Sequence, residues 1–270
     1  ATTGAGNTGV GGSSLTALTT AANNTAVGAS SMAANTTGTD NVAMGSGALT
    51  ANTTGAAHTA VGRSALGANT TGNDNTAVGL NSLIANTTGN QNTAIGGAAL
   101  AANTTATDNT AVGYIALFAN TTGTLNTAVG ALALRTNTTG NYNTAFGRQA
   151  LYANTTANYN TAVGIDSLVS NTTGANNTAV GGDALLANTT GSFSTAVGTS
   201  ALTAQTGAGA ENTAVGHSSQ LATTTGTGNS SFGEGSGKDI TTGSQNVMIG
   251  ADTGRAASPS GSITTESNRL

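Results

Sequence analysis

The 270-residue chain contains no cysteine, so neither disulfides nor thiolate metal sites can hold it together. Charged residues make up 6% and aromatics 3%. Low charge without a bulky apolar core is often a mark of disorder. The six Lys and Arg are scattered singly and the formal net charge is -4, so no basic stripe exists to follow a phosphate backbone, and nucleic acid is not an expected partner. No apolar run approaches the roughly 20 residues of a membrane-spanning helix, and no basic segment with an apolar core opens the chain, so membrane insertion is not expected. The chain starts at Ala1 part-way through a repeat, which leads us to expect a fragment of something longer.

Gly, Ala, Thr and Asn fill most of the sequence, and they do so with a period. The phrase N-T-A-V-G-x-x-A-L-x-A-N-T-T-G-x-x opens fifteen times between Asn7 and Asn246, at intervals of seventeen residues except for eighteen between Ser194 and Asn212. An exact period argues for order where composition alone argues against it. A unit this short cannot bury a core, so each copy must be one rung of a stack. We expect an all-β fold, a parallel β-solenoid or β-roll of about fifteen 17-residue rungs assembled as an elongated homotrimer. The organisation reads as the end of a preceding repeat at 1–6, regular repeats at 7–211, degenerate repeats at 212–250 and a C-terminal segment at 251–270 with the single proline, Pro259.

Positions within the unit are numbered 1 to 17 from its Asn. Position 4 is apolar in every copy, as at Val61, Val78, Val112, Val129 and Val163, which is the pattern of a buried strand position. Position 3, on the opposite face of that strand, is almost uniformly Ala. A short strand that is apolar or tiny on both faces should be covered on both. We assign Val to the solenoid interior and expect the Ala face to pack closely against a neighbouring copy of the chain. Position 9 carries Leu66, Leu83, Leu100, Leu117 and Leu151 and is assigned to the same core. Its surroundings fit either a second short strand, which we favour, or a single helical turn. Gly at position 5 and Asn-Thr-Thr-Gly at 12 to 15 are turn chemistry. Asn52, Asn69, Asn86, Asn103 and Asn120 align at position 12, and a second Asn column runs along position 1. Stacked amides can hydrogen-bond from rung to rung, so both columns read as structural ladders.

Chemistry-bearing residues are few. His58 replaces Asn at position 1 and reads as a substituted ladder residue. Asp166 and Asp183, one rung apart, are the pair that a carboxylate-based glycosidase would need. TGNDN at 71–75 faintly resembles a calcium-binding β-roll turn but lacks its Gly-Gly framework. The Asn-Thr-Thr triplets fit the glycosylation sequon and are read as incidental. No catalytic residue, metal site or cofactor is expected. Ionised side chains in the first twelve units occupy positions 6, 7 or 10 or the last corner before the next unit, which should be the solvated ones. Tyr142, Tyr159 and Phe193 at position 17, with Tyr114 at position 6, are candidate glycan contacts, because aromatic faces can stack on sugar rings.

The segment NTAVGLNSLIANTTG at 75–89 resembles the head repeat of trimeric autotransporter adhesins, whose unit is shorter by three residues around the Asn-Thr-Thr. It is still more similar to the repeats of phage tail fibres and related bacterial tail-fibre-domain proteins. The resemblance covers residues 7 to about 250 and implies a parallel β-roll packed as a trimer. It also implies a C-terminal segment that leads, in such fibres, to an intramolecular chaperone. On this basis the expected function is a structural fibre or adhesin segment of a virion tail fibre that reaches or binds a host surface glycan. Its implied partners are itself as homotrimer, host cell-surface polysaccharide and other virion tail proteins. A bacterial cell-surface trimeric adhesin is the alternative. A third reading is an ice-binding solenoid, from the regular Thr columns at positions 2, 13 and 14.

Overall fold

The computed structural model describes residues 4–207 and 210–254. Much of the 251–270 segment, with Pro259, lies outside the described residues, as do the first three residues. The chain divides into two units, Ala1–Thr139 and Gly140–Leu270. The first contains eight three-residue strands: β1 (Thr8–Val10), β2 (Thr25–Val27), β3 (Val42–Met44), β4 (Thr59–Val61), β5 (Thr76–Val78), β6 (Thr93–Ile95), β7 (Thr110–Val112) and β8 (Thr127–Val129). The second contains β9 (Thr144–Phe146), β10 (Thr161–Val163), β11 (Thr178–Val180), β12 (Thr195–Val197), β13 (Thr213–Val215), β14 (Ser230–Phe232) and β15 (Val247–Ile249). Within each unit every strand pairs in parallel with the next at identical repeat positions, as in Thr59↔Thr76, Ala60↔Ala77, Val61↔Val78. Each unit is therefore a parallel β-solenoid, and no helix occurs among the described residues. The degenerate rungs keep this register through β13, β14 and β15.

The strands stop after three residues because Gly follows at position 5. Gly28 has φ 136°, and a Cβ there would lie 2.6 Å from the carbonyl oxygen of Gly45 in the next rung. Only glycine tolerates both the dihedral and the approach.

The strand faces are the reverse of the expected ones. Ala60, Ala77, Ala111, Ala128 and Ala162 at position 3 are fully buried, whereas Val61, Val78, Val112, Val129 and Val163 at position 4 are only half-buried and face outward. The assignment of the Val column to the interior is corrected: Ala and Leu make the core. The reason is width. Gly9 occupies position 3 of its rung, and a Cβ placed on it would already lie 3.3 Å from Leu15 Cδ1. The gap between strand and leucine admits a methyl group and no more.

Leu66, Leu83, Leu100, Leu117 and Leu151 are all fully buried, but on neither a second strand nor a helical turn. The favoured second strand is thus corrected to a run of turns. Leu66 and Leu83 both have φ 51°, and position 7 is also left-handed, as at Ser64 with φ 58°. Such a conformation costs an L-residue about 1–2 kcal/mol. Burying each leucine returns about 1.5–3 kcal/mol, and the left-handed residues aim their amides along the stack. In the rung 75–91, Thr76, Leu83, Ala85 and Thr87 donate backbone N–H bonds to the following rung, while Gly79, Asn81 and Gln91 donate to the preceding one, all at 2.8–3.2 Å. Backbone pairing thus continues through the turns.

Both Asn columns are buried ladders. At position 12, Asn52, Asn69, Asn86, Asn103 and Asn120 each donate Nδ2–H to the Oδ1 of the preceding Asn at 2.8–3.1 Å. At position 1 the side-chain oxygen accepts the main-chain N–H of the next rung, as from Asn41 to Asn24 Oδ1 at 3.1 Å. The two columns meet on one carbonyl: Gly38 O accepts from Asn24 Nδ2 at 2.9 Å and from Asn35 Nδ2 at 3.0 Å. A third ladder has no counterpart in the sequence reading. The Thr hydroxyl at position 13 donates to the position-13 carbonyl of the next rung, as from Thr36 to Thr53 at 2.9 Å and from Thr172 to Thr189 at 3.0 Å.

Candidate functional site

With alanine inside, positions 2 and 4 share the outer face of each strand, because alternate residues point to opposite sides. In residues 4–139 this face carries Thr25, Thr59, Thr76, Thr93, Thr110 and Thr127 beside Val27, Val61, Val78, Ile95, Val112 and Val129. In residues 140–254 the same two columns contain Thr144, Thr161, Thr178, Thr195 and Thr213 beside Phe146, Val163, Val180, Val197 and Val215. Neither column contains a charged residue in any rung. Ile95 is 40% exposed and Phe146 55%. The hydroxyls of Thr59, Thr76, Thr93 and Thr110 have no partner among the described residues. Each unit therefore presents a regular two-column face, one column of β-branched and other apolar side chains and one of hydroxyls interrupted by Val42 or Val247, fixed by the in-register pairing beneath it.

Tyr142 and Tyr159 come together: their rings stack with centroids 4.9 Å apart and planes 4° from parallel. Both are about half exposed. Each ring covers one face of the other, so the pair offers solvent its edges and outer faces rather than two open platforms. Phe193, two rungs beyond Tyr159 in the same column, and Tyr114, at position 6, are also exposed and take no part in that stack.

Asp166 is held by an ion pair to Arg148 Nη2 at 3.0 Å, a partner that spacing alone did not single out. Asp40, Asp74 and Asp108 lie exposed at their corners, with Asn23 Nδ2 donating to Asp40 Oδ1 at 3.1 Å. Among the described residues no group of three or more His, Cys, Asp or Glu gathers in a way that would hold a metal ion. The Asn of each regular Asn-Thr-Thr triplet, such as Asn69 or Asn171, is fully buried and therefore out of reach of a glycosylating enzyme in the folded chain. His58 is buried within the position-1 ladder. Burial lowers its pKa below the ordinary imidazole value, opposed by its bond to the Gly72 carbonyl and by the charge of Asp74.

The Thr/Val face is the feature that sequence reasoning placed on the wrong side of the strand. The signal that could have found it is the invariance of Ala at position 3: a column that never exceeds a methyl group in eleven consecutive regular strands, β2 to β12, marks a tight interior as readily as a close contact outside. No helix among the described residues is long and apolar enough to cross a membrane. No protein-family model and no curated protein matches the chain.

Proposed function

We propose that this chain is a structural segment of a surface-reaching fibre whose copies associate as a homotrimer through their Thr/Val faces. The observation that supports this reading is the outward column of Val, Ile, Met and Phe at position 4, half-buried or exposed in a single chain and, like the position-2 column beside it, free of charge. Within each unit, an uncharged apolar stripe on a regular ladder is the kind of surface that association covers. The trimer first expected on the Ala face is thereby moved to the opposite face of the same strands. Together with the similarity of the repeat to tail-fibre repeats, this favours a phage tail fibre that reaches or binds a host surface polysaccharide and joins other virion tail proteins. In the alternative reading, a bacterial cell-surface trimeric adhesin, the same face would be covered in the same way, and the sequence flanking these residues separates the two. The association is tested by native mass spectrometry of the purified chain. A trimer is expected, and a stable folded 25.6 kDa monomer sinks the proposal.

A second reading is favoured by the unpartnered hydroxyls at position 2. Thr and Val columns on a regular parallel ladder, with rungs about 4.8 Å apart, form an array that can order water, and an ice-binding solenoid presents such a face. The position-13 hydroxyls do not contribute to it, being spent on the internal ladder. Thermal hysteresis measured on the native chain separates the readings: a trimer without hysteresis supports the fibre, and a monomer with hysteresis supports ice binding.

A further inference from the structure

In the Asn rungs the position-1 side chain performs two tasks. Its Oδ1 accepts the main-chain N–H of the next rung, as from Asn92 to Asn75 at 2.9 Å, and its Nδ2 donates to the position-15 carbonyl of its own rung, as from Asn75 to Gly89 at 2.8 Å. His58 performs both with a ring. Its Nδ1 accepts the Asn75 N–H at 3.2 Å, and its Nε2 lies 2.7 Å from Gly72 O. A main-chain N–H can only donate, so Nδ1 has no hydrogen and the single ring proton sits on Nε2. Asn69 Nδ2, 3.1 Å from Nε2, is a donor facing a donor, and is instead bonded to Asn52 Oδ1 and Gly72 O.

The imitation holds for neutral imidazole alone. A proton on Nδ1 sets N–H against the N–H of Asn75 and leaves a charge in a buried ladder. A carboxamide has no second protonation state in the working pH range, so no other described rung of residues 4–139 has this property at position 1. We propose that His58 is an acid-sensitive break in the position-1 ladder, at which falling pH loosens the rung 58–74 from the rung 75–91.

The charged groups around it are few. The preceding rung, 41–57, and the following one, 75–91, contain none. Its own rung carries Arg63 and Asp74, and Asp40 stands at the corner before residue 41; all three are exposed. None of them reaches His58 as an ion-pair partner that would hold it protonated.

The sign follows from the lowered pKa. The opened rung takes up a proton near the ordinary value of about 6.5 and the closed rung only at lower pH. The contact between the two rungs is therefore at full strength above about pH 6.5 and weakens as pH falls below it. In such stacks each rung is stabilised chiefly by its neighbours, so the loss is local.

The test is hydrogen exchange on the complete chain, followed at the Asn75 amide, with the equivalent amides of Asn41 and Asn92 as internal controls. Protection of Asn75, corrected for intrinsic exchange, is expected to fall up to about tenfold per pH unit below pH 6.5, while Asn41 and Asn92 hold theirs. His58→Asn, which restores the residue of the other rungs, should fold and should abolish the difference. Nitrogen chemical shifts should place the ring proton on Nε2 at neutral pH. Equal pH dependence at all three amides overturns the proposal, as does a His58 ring that titrates at its ordinary value or has its proton on Nδ1.

Discussion

Gln205 Nε2 donates to Ser194 Oγ at 3.0 Å in a rung where the regular repeats have Asn at both positions. Serine Oγ still accepts the main-chain N–H of the next rung, from Asn212 at 3.4 Å, but it is too short to reach the Asn212 side chain as well. The longer glutamine at position 12 does so, with Oε1 accepting from Asn212 Nδ2 at 2.9 Å. A similar exchange of volume occurs where Gly237 stands at the leucine position: a Cβ there would meet Met248 Sδ at 2.9 Å, so methionine at an alanine position occupies the missing leucine's space. Each rung thus has a fixed interior volume and a fixed set of polar partners, which residues can share out in more than one way.

Coupling between Ser194 and Gln205 follows. Gln205→Asn alone should destabilise, by removing one of the two acceptors of Asn212 Nδ2, the other being Gly226 O at 2.7 Å, and Ser194→Asn alone should crowd the glutamine. The double change should recover stability, with a coupling energy of roughly 0.5–3 kcal/mol in a double-mutant cycle read by urea unfolding. Additive single effects would show that the two positions do not compensate.

The left-handed leucine column predicts an unusual penalty for a mild substitution. Leu117→Ile conserves volume and would ordinarily cost less than about 1.5 kcal/mol in a core. At φ 51° a β-branched side chain adds strain of roughly 1–3 kcal/mol. A loss of about 2–4 kcal/mol is therefore expected in denaturant unfolding, and a loss within the ordinary range would show that the backbone relaxes.

Asn86→Asp keeps shape and changes chemistry. Asn86 Nδ2 donates to Asn69 Oδ1 at 2.8 Å and to Gly89 O at 3.0 Å. A carboxylate oxygen there faces two acceptors in a buried site, so destabilisation of about 3–5 kcal/mol is expected near neutral pH, relieved in part as pH falls and the carboxyl protonates. A variant as stable as the native chain would show that water enters the ladder.

Charges placed on the Thr/Val face should separate association from folding. Val61, Val78 and Val112, all replaced by Lys, remain partly solvated in a single chain, so its circular dichroism should persist while the trimer is lost in light scattering. An intact trimer of this variant would place the interface on another face.

Tyr142 and Tyr159, both replaced by Ala, should lower retention on a glycan array if the stacked pair contacts sugar, with little change in stability because both rings are half exposed. Unchanged retention would place recognition elsewhere.

The period, the parallel in-register stacking and the Asn ladders were legible because each depends on identity between residues seventeen apart, which is a property of the string itself. The glycine corner was legible too, since few residues tolerate positive φ. The inside of the strand was not. Alternation says that Ala60 and Val61 point in opposite directions, but it contains no reference to which side is in. That depended on the space left by Leu66, whose place in the core was legible but whose left-handed backbone, which leucine seldom takes alone, was not. The sequence by itself therefore determined the rung and its repetition. The tertiary structure decided which face is core and which face remains for association, because only contact between successive rungs stabilises the strained turn that brings leucine beneath alanine.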